Sequence, residues 1–188
     1  MEMTINSHAN LVESVQACIL IVRNYRRKGY LGATTLRTSL LVAKYLYSFL
    51  CKMFLYRDSQ KGCMFIAKEN NYVVGTLSVD FNPTKLPIDK MFPKEMKSLY
   101  RTASFVYIGS FAVDATYNCT RLSFRILKEV WTLVTNRGYN QVICVINPDH
   151  CKFYSRFGFR TIAIKENMSG LSCAPAALMA INLHEVRL

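Results

Sequence analysis

The segment NPDHCKFYSRFGF, residues 147–159, concentrates polar side chains that can take part in proton transfer. It follows an apolar run of strand length, so Asn147 stands at a strand end, and Tyr154 lies seven residues further on, ahead of Gly158. A phenol can donate a proton, and an imidazole can accept one near neutral pH. Tyr154 and His150 are therefore candidate catalytic residues. For each, a structural role in ring packing or at a helix start is the alternative.

A second group of residues can bind an anion. The apolar run 105–113 precedes Asp114, and a helix is predicted to begin near Thr120. The first turn of such a helix exposes backbone N–H groups that suit a pyrophosphate or the phosphate of a phosphopantetheine arm. Arg121 and Arg125 are four residues apart on that helix and can add charge-assisted hydrogen bonds. A solvated helix face is the alternative for both arginines.

The elements that must position these residues are predicted from hydrophobic periodicity. The predicted strands are 63–67, 72–80, 105–113, 141–146, 161–164 and 177–183. The predicted helices are 10–25, 120–136 and 149–157, whereas residues 81–101, with three prolines, are predicted to be loop. This order indicates an α/β fold in which the central strand–helix–strand unit holds a parallel pair of strands.

The chain of 188 residues is expected to form one domain, residues 1–188. Residues 1–61 are predicted to be a basic, helical N-terminal part, and residues 62–188 the sheet core. Within the N-terminal part, the apolar stretch 39–56 is interrupted by Lys44 and Lys52. These charges favour a buried or interfacial helix over a transmembrane span.

The net charge of +12 is unevenly distributed along the chain. Between Ser14 and Lys61 there are nine basic residues and one acidic residue, which leaves +8 on that stretch. Such a field attracts an acidic carrier protein, an anionic lipid surface or a nucleic acid, and a solvated basic face is the alternative. No known reading motif accompanies the basic residues, so specific nucleic-acid binding is not expected.

The seven cysteines are an odd number and lack the spacing of zinc ligands. They are interpreted as reduced thiols, and no metal site is expected. The polar segment 1–10 does not have the pattern of a secretory signal. A cytoplasmic location is therefore predicted. Association with a membrane surface is compatible with this prediction and stays open.

Asn147, Tyr154 and Gly158-Phe159 recur at these offsets in the GNAT superfamily, and the segment resembles its signature. Within that superfamily, the order of further motifs is similar to the N-acyl amino acid synthases and, more distantly, to the acyl-homoserine-lactone autoinducer synthases. These motifs are Tyr30-Leu31, Phe65-Ile66-Ala67, Val74-Gly75-Thr76-Leu77, Leu86-Pro87 with Asp89 and Glu95, Ile108 to Asp114, and Asn147-Pro148-Asp149-His150. The resemblance covers nearly the whole chain except about residues 34–56.

The resemblance implies a GNAT-like mixed sheet that opens between two parallel strands to admit the pantetheine arm of an acyl thioester. The co-substrate would be a long-chain acyl-phosphopantetheine thioester on acyl carrier protein or CoA, and the acceptor a small-molecule amine such as an amino acid. Tyr154 would protonate the leaving thiolate, a strand amide would hold the oxyanion, and the N-terminal helical part would bind the acyl chain or the carrier. The implied donor-binding residues are Phe111, Ala112, Val113, Asn118, Arg121, Leu122, Ser123 and Asn147.

Two places depart from the family pattern. The usual donor loop has glycine where Arg121 stands, which disfavours close approach of a CoA pyrophosphate and fits a single pantetheine phosphate better. Similar synthases often have Glu where Tyr107 stands and Arg where Ser110 stands. Tyr107 stays a candidate catalytic residue, and the base that deprotonates the acceptor is sought among Asp80, Asp89, Glu95, Asp114 and His150. An acetyl-CoA-dependent N-acetyltransferase and a catalytically inactive thioester-binding protein are the alternative functions.

Overall fold

The computed structural model describes residues 3–7, 9–28, 43, 47, 51, 60–102, 104–117, 119–166 and 175–185. The chain divides into two compact units. Unit 1 comprises Met1–Asp80 and Gly109–Thr132, and unit 2 comprises Phe81–Ile108 and Leu133–Leu188. The apolar stretch 39–56 lies outside the described residues except at positions 43, 47 and 51, so its predicted helix stays a prediction. The expectation of a single domain also stays a prediction.

Seven strands in the described part of the chain form one mixed sheet, in the order β1-β2-β3-β4-β5-β7-β6. The strands are β1 Met3–Asn6, β2 Gly62–Glu69, β3 Tyr72–Phe81, β4 Phe105–Val113, β5 Gln141–Ile146, β6 Arg160–Lys165 and β7 Ala176–Asn182. Strands β4 and β5 are parallel, as the strand–helix–strand unit predicts. The α/β class is confirmed, whereas β1, which pairs antiparallel with β2, lies in a segment for which the sequence predicts no strand.

Four α-helices lie within the described residues: α1 Leu11–Arg27, α2 Pro93–Thr102, α3 Cys119–Asn136 and α4 Cys151–Ser155. Short 3-10 turns cover Pro87–Lys90, Pro148–His150 and Leu183–Glu185. The prediction of a loop over residues 81–101 is wrong. Pro93 is the first residue of α2, a place where proline's missing N–H costs nothing, so this proline starts a helix rather than excluding one.

Helix α1 is fixed to the hairpin of unit 1 by its first turn. Asn10 and Glu13 form a capping box, in which each side chain accepts a hydrogen bond of 2.9 Å from the other residue's backbone N–H. Glu13 also forms an ion pair with Lys68 on β2, and the side chain of Gln16 accepts a hydrogen bond of 3.0 Å from the Val73 N–H on β3. These contacts set the position of the whole helix along the sheet.

Helix α1 buries a different face from the one that the sequence predicts, which consists of Leu11, Val15, Cys18, Ile19 and Val22. Leu11 and Ile19 are 65% and 58% exposed, and of these five residues only Cys18 is buried. The contact with the sheet is made by smaller or neighbouring side chains, because Ala17, Leu20 and Ile21 pack with Met64, Ile66, Val73 and Ala112. Periodicity thus predicted the helix but selected the wrong face of it.

The hairpin of β2 and β3 turns at two asparagines and packs closely against α3. Asn70 and Asn71 both have positive φ, 50° and 65°, which is the conformation that a tight two-residue hairpin turn requires. Further along β3, a Cβ atom on Gly75 would lie 2.7 Å from Cδ1 of Ile126 and 3.4 Å from Cδ2 of Leu122. Glycine is therefore needed at position 75 for space rather than for an unusual backbone conformation.

Unit 2 has its own apolar cluster, which fixes α2 and the turn before it. Phe92, Met96 and Leu99 are buried and pack with residues of three strands, namely Phe105, Ile143 and Leu178. The hydroxyl of Tyr100 donates to both carboxylate oxygens of Asp89, at 3.0 and 3.2 Å. Helix α2 is therefore an integral part of the fold between β3 and β4, with one apolar and one solvent-facing side.

Candidate functional site

The C-terminal end of β4, in unit 1, is held by α1 and β3. Nδ2 of Asn24 donates a hydrogen bond of 2.9 Å to the Val113 carbonyl, and Nη2 of Arg23 lies 2.7 Å from Oδ2 of Asp114. The Asp114 N–H donates to the carbonyl of Val74 at 2.8 Å. The strand end for which donor binding is predicted is therefore fixed by a helix that precedes it by about 90 residues.

Asp114 is a structural acceptor rather than a free base. The backbone N–H of Thr116, at 3.0 Å, lowers the pKa of Asp114 most, and partial burial opposes this. The Thr116 hydroxyl, at 2.9 Å, and the guanidinium groups of Arg23 and Arg27 lower the pKa further. A carboxylate with a lowered pKa is a weaker proton acceptor, which makes Asp114 the least suitable of the candidate bases near β4.

The backbone of β4 has an unusual conformation at Ser110, where φ is +52°. The parallel ladder between β4 and β5 comprises four pairs and ends at Ile108↔Cys144, two residues earlier. Beyond Ser110, Phe111 and Val113 are half-buried and Ala112 is buried. A left-handed residue that is not glycine, inside a strand, is typical of places where a fold re-aims its backbone for function.

The start of α3 in unit 1 has no acidic side chain in its first turn. Arg121 is exposed there, whereas Leu122 and Ser123 are 3% and 7% exposed. Leu122 packs beside Gly75, so its side chain belongs to the core, and only its backbone is available for a donor. Asn118, also predicted to bind the donor, lies outside the described residues.

In unit 2, the segment from Asn147 to His150 forms one compact turn. The Asn147 side chain accepts a hydrogen bond of 2.9 Å from the Asp149 N–H, and the Asn147 carbonyl accepts one of 2.9 Å from the His150 N–H. Asn147 therefore caps the 3-10 turn that leads into α4, which gives the residue a structural reason to be asparagine. His150 is half-buried at the end of the same turn.

Tyr154 is 6% exposed and is oriented by phenylalanines. Its ring lies edge-on to Phe153 and Phe159, with centroids 5.5 and 5.4 Å away. Its carbonyl accepts hydrogen bonds from the N–H groups of Phe157 and Phe159. Gly158 has φ +90°, a left-handed conformation that lets the chain turn back into β6 and carry Phe159 to this position. The spacing of Tyr154, Gly158 and Phe159 therefore fixes the orientation of the Tyr154 ring through packing.

The remaining candidate bases, and Tyr107, differ in their hydrogen bonds and in their burial. Asp89 accepts hydrogen bonds from Tyr100 and from the Leu86 N–H, the latter at 2.9 Å, so it holds the 3-10 turn to α2. Burial, with the Asp89 hydrogen bond as the second cause, raises the pKa of Tyr100. Tyr107, which replaces the expected Glu, is half-buried at the edge of the apolar cluster of unit 2. Asp80, Glu95 and His150 are half-buried.

The cysteines near β5 and α4 have ordinary structural environments. Burial raises the pKa of the Cys144 thiol, which makes it a poor nucleophile. The Thr161 hydroxyl lies 3.9 Å from Sγ of Cys151. Among the described residues, no group of three or more His, Cys, Asp and Glu side chains is arranged to hold a metal ion. None of the described helices is both long and apolar enough to cross a membrane.

Residues 16–182 match the family model of FeeM, described as an N-acyl amino acid synthase. The chain belongs to this family. The match spans most of the chain, including β4, α3 and the Asn147–Phe159 segment, and it makes the protein an N-acyltransferase by class. The resemblance inferred from the sequence motifs is thereby confirmed at the level of the family.

Comparison with solved structures shows the same fold. The structure of FeeM, an N-acyl amino acid synthase from uncultured soil microbes, has a TM-score of 0.75 at 20% identity, over 98% of this chain and 92% of that one. Aminoglycoside 6'-acetyltransferase type Ii has a TM-score of 0.64 at 14% identity, over 100% of both chains. The PaiA N-acetyltransferase from Thermoplasma acidophilum, in complex with coenzyme A, has a TM-score of 0.68 at 10% identity, over 97% of this chain and 99% of that one. A search of curated proteins found no match.

Sequence reasoning missed the two residues that fix the end of β4. Arg23 and Asn24 precede their partners Asp114 and Val113 by 91 and 89 residues. In the sequence, Arg23 reads only as one member of a basic cluster, and Asn24 as a polar residue near a helix end. A contact over such a distance leaves no periodic signal, so only the structure identifies it.

Proposed function

We propose that this chain transfers an acyl group from a phosphopantetheine thioester to the amine of an amino acid or a similar small molecule. The match of residues 16–182 to the N-acyl amino acid synthase family carries the proposal. The reaction forms a C–N bond and breaks a C–S bond. The attacking ammonium must first lose a proton, the carbonyl oxygen becomes negative, and the departing sulfur must gain a proton. The chain offers a candidate group for most of these steps.

The donor phosphate is assigned to the N-terminal turn of α3. This helix is long enough for its exposed N–H groups and dipole to attract an anion. Its first turn contains the exposed Arg121 and no acidic residue, so no carboxylate of that turn competes with an anion for the positive helix end. The oxyanion is assigned to a backbone amide between Phe111 and Val113, on the strand end that Asn24 and Arg23 hold in place.

Tyr154 is assigned as the general acid for the leaving thiolate. Its ring is held by Phe153 and Phe159, so its hydroxyl keeps a defined direction, which a proton donor needs. The hydroxyl would give its proton to sulfur as the C–S bond breaks. It would regain that proton through solvent or from the proton that the amine releases.

The carboxylate that would remove the proton of the acceptor amine is missing from its usual place, because Tyr107 stands there. Asp114 has a lowered pKa, and Asp89 is committed to Tyr100 and Leu86. Asp80, Glu95 and His150 remain as acceptors, directly or through water. An alkyl ammonium has a pKa of about 10 and attacks only after it loses a proton. The rate of acyl transfer should therefore rise with pH above neutrality.

A long-chain donor on acyl carrier protein is favoured over acetyl-CoA, because Arg121 replaces the glycine that lets a pyrophosphate approach the backbone. The second candidate is a protein that binds thioesters without turning them over. The specific observation in its favour is Tyr107 in place of a carboxylate, together with the structural commitments of Asp89 and Asp114.

The test is a donor and acceptor matrix with mass detection of N-acyl products. Acetyl and long-chain thioesters, each on acyl carrier protein and on CoA, are incubated with single amino acids and the purified protein. Because each buried methylene contributes about 0.8 kcal/mol, long-chain donors should be preferred by orders of magnitude. Equal use of acetyl-CoA would indicate an N-acetyltransferase. Bound thioester without product from any pair would establish the inactive protein instead.

A further inference from the structure

Helix α2 presents a basic, solvent-facing side that the proposed chemistry does not use. Lys94, Lys97 and Arg101 are exposed and stand at positions i, i+3 and i+7, so they lie along one side of the helix. Lys90, in the preceding 3-10 turn, is also exposed. The opposite side of α2 is apolar and buried. The cations therefore form a continuous stripe about 10 Å long from Lys94 to Arg101, at 1.5 Å of rise per residue.

A fifth cation joins this stripe from another element of unit 2. Nζ of Lys165, at the end of β6, lies 5.7 Å from the centroid of the Phe92 ring, just before α2 begins. This distance is within the range of a cation–π contact, which holds the ammonium group near the helix. We call the exposed residues of this surface the α2 basic patch: Lys90, Lys94, Lys97, Arg101 and Lys165.

The nearby carboxylates are too few to neutralise the five cations of the patch. Asp89 accepts hydrogen bonds from Tyr100 and from the Leu86 N–H. Glu95 is half-buried and stands about 100° around α2 from Lys94, and Glu166 is exposed directly after the end of β6. Like charges three or four residues apart on a helix destabilise it by about 0.2–0.5 kcal/mol per pair. An acidic surface that binds the stripe would convert this repulsion into attraction.

The chemistry of the patch fits an acidic protein surface better than a lipid surface. Binding at a membrane interface requires apolar side chains that enter the acyl region beside the cations. At α2 no such side chain is available to a membrane among the apolar residues of this segment, because Phe92, directly before the helix, and Met96 and Leu99, within it, are buried in the core of unit 2. A helix bearing Asp and Glu offers carboxylates that can pair with the stripe without any apolar insertion.

We propose that the α2 basic patch is the docking surface for an acidic acyl carrier protein. This inference rests on the proposed function, which supplies a carrier-bound donor as the partner. It differs from the expectation that the charge of residues 14–61 alone attracts the carrier, because it assigns recognition to α2, a helix of unit 2 whose apolar side is packed in the core. Electrostatic docking of this kind acts mainly on the association rate and weakens with salt.

The experiment compares two charge-matched triple variants in stopped-flow binding to a long-chain acyl carrier protein. The first is Lys94→Glu/Lys97→Glu/Arg101→Glu in the α2 basic patch. The second is Arg26→Glu/Arg27→Glu/Lys28→Glu at the end of α1, where all three residues are exposed. The association rate constant of the first variant should fall about tenfold or more, with little change in dissociation. The association rate constant of the second variant should fall clearly less. Circular dichroism verifies that both variants are folded.

Several outcomes would overturn the inference. Equal losses in the two variants would indicate attraction by net charge alone, and a larger loss in the α1 variant would place docking there. Unchanged association in both would exclude electrostatic docking. Flotation of the wild type, but not of the α2 variant, with vesicles of anionic phospholipid, together with no carrier binding, would assign the patch to a membrane. Product formed from a long-chain acyl-pantetheine phosphate, which needs no docking, should be equal in wild type and in the α2 variant. Absence of product from every long-chain thioester, whether on pantetheine phosphate, CoA or acyl carrier protein, would refute the proposed function separately, since carrier association is measured without turnover.

Discussion

Arg23 on α1 and Asp114 at the end of β4 form an ion pair of 2.7 Å across 91 residues of sequence. The pair acts with the Asn24 hydrogen bond to Val113, one residue earlier on the strand. In the proposed mechanism this strand end carries the oxyanion amide, so the role proposed for the N-terminal helix is to position that amide.

The first prediction concerns the pH dependence of stability. The folded-state pKa of Asp114 is below its ordinary value, so its contribution to stability is present above the unfolded pKa of about 3.9 and is lost as pH falls through the folded pKa. The Asp114→Asn variant should therefore be less stable than wild type by about 1 kcal/mol near neutral pH. Urea unfolding should show this difference shrink below about pH 4. Asp149→Asn, at an exposed carboxylate, is the control. A difference that does not depend on pH would contradict the prediction.

The second prediction isolates the hydroxyl of Tyr154. Tyr154→Phe keeps the ring between Phe153 and Phe159, so the melting temperature should change little. Loss of a general acid should lower kcat by about 10² to 10⁴. Tyr139→Phe removes a hydroxyl that hydrogen-bonds to Asn82 at 3.2 Å and should leave kcat unchanged. If the two variants were equally active, Tyr154 would have a packing role alone.

The third prediction concerns the missing carboxylate. With wild-type protein, turnover should keep rising above pH 7 as the fraction of free amine grows, because an alkyl ammonium has a pKa of about 10. Tyr107→Glu should raise activity at neutral pH by supplying a base, whereas Tyr107→Gln, of similar size but without charge, should not. A wild-type profile that already levels off in the acid range would reveal a carboxylate base elsewhere in the site.

The fourth prediction tests the close approach of β3 and α3. Gly75→Ala places a Cβ 2.7 Å from Cδ1 of Ile126 and should destabilise the protein by about 1–3 kcal/mol. Ile126→Val removes that methyl group, so the alanine should cost less when the two substitutions are combined, with a coupling of about 0.5 kcal/mol or more in a double-mutant cycle. At Gly138 φ is +77°, and a Cβ added there would meet no atom within 4 Å beyond its chain neighbours, so Gly138→Ala should be destabilising through strain alone and should not be rescued by Ile126→Val. Additive effects of Gly75→Ala and Ile126→Val would rule out the steric account.

The sequence predicted the elements whose pattern is local. Strands β4 and β5 were predicted with their observed bounds, and α3 to within one residue, because long periodic runs bury one face. Helix α2 was missed because proline is a breaker inside a helix and a normal first residue at its start, and composition does not separate the two. The short strand β1 was missed because Thr4 and Asn6 are exposed and Ile5 is only half-buried, and because its partner β2 is distant in sequence.

The candidate site was predictable only where its residues lie close together in the sequence. Asn147, Tyr154 and Gly158 are joined by one short helix, so their spacing already carries the geometry. The commitments of Asp89 and Asp114 could not be foreseen, since a carboxylate reads the same in sequence whether it holds a turn or accepts a proton. The contact of Asp89 with Tyr100 and that of Asp114 with Arg23 decide between those roles, and these contacts are visible only in the folded structure.

The Arg23–Asp114 pair also changes how the electric field of the N-terminal part is counted. Summing residues 14–61 gives +8, but that sum leaves out a carboxylate that folding brings 2.7 Å from one of its nine cations. A passing macromolecule therefore meets, near Arg23, a dipole whose field falls off faster with distance than that of a single positive charge. The local charge of this protein depends on which residues are neighbours on its surface. Residues for charge mutagenesis should therefore be chosen from the folded structure rather than from runs of arginine in the sequence.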